Sequence, residues 1–135
     1  YVVFSALSHT YGAGIVGLHD TSVAFLQLST DTDIARSLSI SAGKLLTKTG
    51  YYTNQFYIVR GLFNGANSFI KILNTAGKTG DANTGAGNFI AAGYYPGSHG
   101  NVKIKEFMVR TTADDEATQT AIYNYLANKY GFAMT

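Results

Sequence analysis

QFYIVRGLFNGANSFIKIL, Gln55 to Leu73, is the stretch whose reading decides the fold. Residues 55–63 are apolar at odd and even positions alike. A strand of that kind has both faces covered, so it lies centrally. Arg60 interrupts one face, and a buried charge needs a partner. The expected partner is an acid on a neighbouring strand, with Glu106 the candidate. Asn64-Gly65 tolerates positive φ and reads as a hairpin turn. FIKIL, 69–73, then returns as the paired strand.

Working outward, most of the chain reads as short strands. YVVFSAL (1–7) is rich in β-branched and aromatic residues. GIVGLHD (14–20) and SVAFLQLS (22–29) follow around a corner at Asp20–Thr21. RSLSIS (36–41) alternates, with Leu38 and Ile40 on one face and Ser37, Ser39 and Ser41 on the other, as in a half-buried strand. KLLT (44–47) is a short strand and KTGYYTN (48–54) a loop. Residues 74–87 form a long glycine-rich excursion, and NFIAAG (88–93) is another strand. GYYPGSHGN, 93–101, connects it to NVKIKEFMVR (101–110). The apolar phase of that last strand changes across Lys105–Glu106, which signals either a β-bulge or a strand covered on both faces.

The C-terminal stretch differs. In ADDEATQTAIYNYLANKYGF, residues Ala117, Ala121, Ile122, Tyr125 and Leu126 form one helical stripe. Thr112, Asp114 or Asp115 can cap its start, and Gly131 fits the position just past its end. Such a helix packs onto the outside of a sheet or across the end of the strand layers.

The totals agree with a strand-rich domain. At 135 residues, one domain is expected, large enough for a core. Charged residues are 13% of the chain, half the usual share of about 25%, and there are 15 glycines. The absence of cysteine excludes disulfides and thiolate metal sites. A net charge of +2 from scattered lysines and arginines does not make the basic face that nucleic acid requires. No apolar run approaches the roughly 20 residues of a membrane helix. Tyr1 opens inside an apolar run, so a fragment of a longer chain is expected.

The second half resembles the concanavalin A-like lectin/glucanase superfamily, and more closely the laminin G-like jelly-roll modules of phage and bacterial surface proteins. The resemblance rests on FYIVRGLFNGANSFIKI, GDANTGAGNFIAAG and VKIKEFMVR, then the helix ending Tyr125, Leu126, Ala127, Asn128, Lys129, Tyr130, Gly131. It covers residues 55–132 well and 1–54 loosely. It implies an all-β, antiparallel jelly-roll β-sandwich with one C-terminal α-helix, as a single domain over 1–135. Such modules open with a strand ahead of the equivalent of YVVFSAL. No such strand precedes Tyr1 in this sequence, so the resemblance implies that another segment, another chain or a region N-terminal to Tyr1 completes the sheet.

Glucanases of this superfamily carry clustered carboxylates on one strand, one acting as nucleophile and one as acid. This chain has only Glu106 and Glu116, which are not so arranged. No serine lies in a G-x-S-x-G context, and His9, His19 and His99 lack ligand-like spacing. The chain is expected not to be an enzyme. Calcium takes clustered hard oxygens. Asp31 with Asp33, and Asp81 with Asn83, are weak candidates, the alternative being solvated turn residues. No other cofactor is expected.

Sugars are gripped by aromatic faces and by amide hydrogen bonds. The candidate carbohydrate contacts are Tyr51, Tyr52, Asn54, Asn83, Asn88, Tyr94, Tyr95, His99 and Asn101. Adjacent tyrosines in a strand point to opposite faces, so only one of each pair can line a groove. The alternative for Tyr94–Gly97 is a rigid hairpin whose rings cap the core. The expected function is a lectin-like carbohydrate-binding or adhesion module on a virion or cell surface. Its partner would be a glycan or a neighbouring surface-protein chain, with an oligomer allowed. The alternative is a decoration, fibre or assembly module without a glycan ligand.

Overall fold

A computed structural model describes residues 1–8, 14–18, 25–28, 36–84, 90–92, 94–95, 98–99 and 101–134. Among them, two sheets and one C-terminal helix make an all-β protein with a single helical appendage. The strands are β1 Val2–Ala6, β2 Gly14–Leu18, β3 Phe25–Leu28, β4 Arg36–Ser41, β5 Leu45–Tyr51 and β6 Tyr57–Leu62, followed by β7 Ser68–Ile72, β8 Lys78–Gly80, β9 Ile90–Ala92, β10 Tyr94–Tyr95, β11 Ser98–His99 and β12 Val102–Phe107. The helix α1 is Glu116–Tyr130.

One sheet runs β12-β1-β6-β7-β8 and the other β10-β11-β2-β3-β4-β5, with β9 also paired to β2. Pairings are antiparallel except that of β11 with β2. A shared core joins the sheets: Val2, Phe4, Val59, Ile70 and Ile72 from one meet Ile15, Leu26, Leu38, Ile40 and Leu46 from the other. The approach is close. A methyl group on Gly61 of β6 would lie 2.9 Å from Ile40 Cγ2, so only glycine fits there.

The central place of residues 57–62 is borne out. Val59 faces the shared core, while Ile58 faces α1, and both are 0% exposed. A second apolar cluster covers that outer face, with Val3 and Ile58 against Tyr123, Leu126 and Ala127. The helix therefore lies on the outside of the five-stranded sheet. Its buried face is rotated from the expected stripe, however. Ala117, Ala121 and Tyr125 are exposed, while Tyr123 is buried. One ring removes far more apolar area from water than two alanine methyls, so Tyr123 sets the rotation.

Asp115 is the helix cap, accepting the Thr118 N–H at 2.8 Å. Gly131 takes φ 73°, and the N–H groups of Gly131 and Phe132 both reach the Ala127 carbonyl. The phase change in β12 is a bulge. Val3 pairs with Glu106 and Phe4 with Ile104, which leaves Lys105 as the extra residue. Ile104 thus packs on the shared core, while Glu106 turns to α1.

Four local expectations change. Lys48–Tyr51 belong to β5 rather than a loop, because they pair along β4 up to Arg36. Lys78–Gly80, inside the glycine-rich excursion, pair with β7 as a short edge strand. Asn64-Gly65 is not a two-residue turn. A 3-10 turn follows at Gly65–Asn67, and Ser68 Oγ closes it by accepting from Asn64 N and donating to the Gly65 carbonyl. Ser37, Ser39 and Ser41 are buried along with Leu38 and Ile40, and Ser39 Oγ bonds Thr47 Oγ1 across the β4–β5 pair at 2.7 Å. No helix among the described residues is long and apolar enough to cross a membrane.

Candidate functional site

The expected contact residues do not gather at one place. Tyr51 closes β5 and is 1% exposed, packed edge-on against Tyr57 with ring centroids 6.3 Å apart. It is a core residue and is corrected as a contact. Its neighbour Tyr52 is 63% exposed. The alternation rule for paired tyrosines thus holds here. The chain then bends sharply. Tyr57 Oη accepts from Tyr52 N at 2.9 Å and donates to Gln55 Oε1 at 3.0 Å. Asn54 takes φ 62°, and its N–H reaches the Ala6 carbonyl at 2.7 Å. Arg36 donates to the Thr53 hydroxyl, which anchors the bend to β4.

Asn101 lies against the same end of β1. Its carbonyl accepts from Leu7 N at 2.8 Å, and its side-chain amide reaches Ser8 Oγ at 3.3 Å. The end of β1 is thus bonded by the backbone of Asn54 on one side and of Asn101 on the other, with the exposed Tyr52 two residues before Asn54 on the adjoining bend.

Asp81 and Asn83 lie at the other end. Ala42 N and Lys44 N both bond the Ala82 carbonyl, which places this loop on the β4–β5 corner. Tyr51 is at the far end of β5, about 20 Å away at roughly 3.4 Å per residue. Asn83 is thus corrected as a partner of Tyr52. Asp81 is also committed: Lys44 Nζ binds one carboxylate oxygen at 2.5 Å, and Asn83 N donates to the other at 2.8 Å. The lysine, then the amide, hold its carboxyl below the usual range. A lysine ammonium occupies one oxygen of this carboxylate and a backbone amide the other. Among the described residues no three His, Cys, Asp or Glu side chains cluster as metal ligands.

Tyr94 pairs with His99 and Tyr95 with Ser98, a short hairpin whose His99 lies beside Gly14 of β2. This hairpin is at the opposite edge of its sheet from β5. Asn88, His9, His19, Asp31 and Asp33 lie outside the described residues.

Two further clusters lie on the α1 side of the five-stranded sheet, the first around Arg60, whose partners the sequence did not show, and the second without a local signature. Arg60 is 6% exposed, and its guanidinium sits 5.2 Å from the Phe69 ring centroid and 5.9 Å from that of Tyr1. Aromatic faces, not Glu106, stand against this cation. Nearby, Tyr1 donates to Asp114 at 3.0 Å, and Arg110 Nε donates to the same carboxylate at 2.9 Å. Burial, then the Asp114 contact, push the Tyr1 hydroxyl up to about 12. Glu106 instead accepts from Lys129 at 2.9 Å and from Tyr130 Oη at 2.8 Å.

The second cluster is a pocket of about 360 Å³ between the end of β7 and α1, lined by Lys71, Leu73, Thr75, Thr120, Tyr123 and Met134. The only sequence signal for it was Lys71 inside an otherwise apolar strand. No family model, no curated protein and no solved structure matches the chain.

Proposed function

We propose that this chain is a non-catalytic, lectin-like module with a concanavalin A-like jelly-roll sandwich fold. It binds carbohydrate at the end of β1. The observation that carries this reading is the Tyr52 ring, 63% exposed and followed in the chain by Thr53, Asn54 and Gln55. A ring held by a rigid bend offers a flat apolar face to a pyranose at little entropic cost. The amides of Asn54, Gln55 and Asn101 supply the hydrogen bonds that fix orientation. Two sheets sharing one core, with a helix outside, support the sandwich assignment. The virion or cell-surface setting rests on the family resemblance alone.

A catalytic role is disfavoured by the glutamates. Glu106 is held by Lys129 in the last turn of α1, while Glu116 is in the first turn. A helix of that length separates them by about 20 Å, whereas glycosidase carboxylates sit roughly 5–10 Å apart.

The test is a glycan-array screen of the wild type beside Tyr52→Ala. Selective binding lost in the folded variant supports the reading. Binding that survives the substitution moves the site elsewhere, and no binding by the wild type removes the function.

An assembly role is the second reading. It is favoured by β12, an edge strand whose Phe107 is 42% exposed and which is followed by Val109, 55% exposed. A shift in oligomeric state between the wild type and Phe107→Asp, read by light scattering, would support it.

A further inference from the structure

The open edge of β12 carries a pattern that reads alike from both ends. Among the described residues this strand is paired on one side only, to β1. Tyr1 N donates to the Met108 carbonyl at 2.9 Å and Met108 N to the Tyr1 carbonyl at 2.7 Å, so the backbone groups of Met108 face β1. Those of its neighbours Phe107 and Val109 therefore point outward from the sheet. At the other end the Asn101 carbonyl accepts from Leu7 N, which turns Val102 and then Ile104 outward in the same way.

The side chains form two rows. Val102 and Ile104 pack on the shared core, and Phe107 pairs with the core residue Val2, so these three and Val109 make the core-side row. Lys103, Glu106 and Met108 make the row on the α1 side, Glu106 through its bonds to Lys129 and Tyr130. Lys105 joins them, since its Nζ lies 4.2 Å from the Phe56 ring centroid and 5.1 Å from that of Tyr130. The ion pairs among the described residues leave this exposed ammonium without a carboxylate.

An unbulged strand laid antiparallel on its own copy, about a point between two residues, sets core-side residues against α1-side ones. The bulge at Lys105 removes that mismatch. About a point between Lys105 and Glu106, Val102 meets Val109 of the second copy, Ile104 meets its Phe107, Lys103 its Met108 and Lys105 its Glu106. Edge lysines ordinarily block such pairing by bringing like charges together. In this register no lysine opposes a lysine, and the unpaired Lys105 gains an acid. The exposed Tyr125 stands over the same edge, its hydroxyl 3.4 Å from Glu106 Oε1, and adds a ring beside the contact.

We propose that β12 pairs antiparallel with β12 of a second copy of this chain, about a two-fold axis between Lys105 and Glu106, so that the two five-stranded sheets become continuous. Such a contact uses one patch twice and closes on itself. The proposal rests on the assembly reading and names its partner.

The test is sedimentation velocity of the 135-residue chain over a range of concentrations, with folding of every variant checked by circular dichroism. A concentration-dependent dimer is expected. Lys105→Glu brings carboxylates together at the axis and Glu106→Lys brings ammoniums together, and each alone is expected to weaken the dimer about tenfold. An equimolar mixture of the two restores opposite charges at both contacts and should dimerise as the wild type does, which damage to the fold would not allow. Should Glu106→Lys fail to fold, Lys103→Cys mixed with Met108→Cys takes its place. The parent chain has no cysteine, and a disulfide is expected between the two variants. A monomer at every concentration overturns the proposal, as does a mixture that neither dimerises nor cross-links. A dimer that Phe107→Asp dissolves but the charge reversals and their mixture leave unaffected keeps the assembly reading and overturns this pairing.

Discussion

Tyr51 and Tyr52 are adjacent in the chain, yet one is 1% exposed and the other 63%. Tyr51 ends β5 with its ring in the shared core, and Tyr52 begins the bend with its ring in solvent. The same substitution should therefore act on two different properties. Tyr51→Ala is expected to cost about 3–5 kcal/mol, as for large aromatic truncations in a core. Tyr52→Ala should change stability by less than about 0.5 kcal/mol. Urea denaturation of both variants checks this, and equal losses would refute the assignment.

Tyr123 carries a buried hydroxyl without a partner, and burial pushes its pKa up. Removing an unsatisfied O–H while keeping the ring relieves a desolvation cost of about 1–3 kcal/mol. Tyr123→Phe is accordingly expected to leave thermal stability unchanged or to raise it. Tyr123→Ala empties the helix–sheet seam and should destabilise strongly. A loss of several degrees in Tyr123→Phe would mean that the hydroxyl is satisfied in solution.

Glu106 joins β12 to the last turn of α1. The Lys129 ammonium, then the Tyr130 hydroxyl, hold its carboxyl below the usual range. A carboxyl depressed in the folded state contributes stability above its unfolded pKa of about 4.3, and this is lost as pH falls through the folded value. Glu106→Gln should thus be less stable than wild type at pH 7, by less than about 1 kcal/mol for so exposed a pair. The difference should close as pH falls below the depressed folded value. Paired denaturation curves across acid pH test it, and a constant offset would count against the ion pair.

Gly61 of β6 faces Ile40 of β4, where an added methyl would stand 2.9 Å from the isoleucine. Gly61→Val is expected to cost about 1–3 kcal/mol by overpacking the contact between sheets. Gly61→Val combined with Ile40→Ala should recover part of it. A double-mutant cycle measures that coupling, and strict additivity would mean that the two residues do not touch.

Asp115 caps α1 through the Thr118 N–H. Asp115→Ala should lower stability measurably by removing the cap, while Asp81→Ala, which removes only an exposed pair with Lys44, should be close to neutral. Added calcium should leave the melting temperature of the wild type unchanged. A clear rise in calcium that Asp81→Ala abolishes would restore the metal site.

What the sequence determined by itself was local. Period-two and continuous apolar runs marked most of the described strands, because alternation of side chains along an extended chain is a property of the backbone. Caps and the terminating Gly131 bounded the helix, because its end groups need local partners. The central position of residues 57–62 followed from apolar residues on both faces. Tertiary structure decided what stands beside what. The stripe Ala117–Ala121–Tyr125 is as regular as the face that is buried, and only the seam with Val3 and Ile58 selected Tyr123 instead. Glu106 was a plausible partner for Arg60, until a bulge at Lys105 and the intervening β1 gave it to Lys129 and Tyr130. Loops rich in tyrosine and asparagine looked alike in sequence, but β5 holds Tyr52 and Asn83 at opposite ends. The pocket at Lys71 had no local signature, since its walls come from β7, the turn after it, the middle of α1 and the C-terminal segment. Pattern along the chain is set by neighbours one to four residues away, whereas burial, charge pairing and cavities are set by whichever distant segments the packed sheets bring into contact.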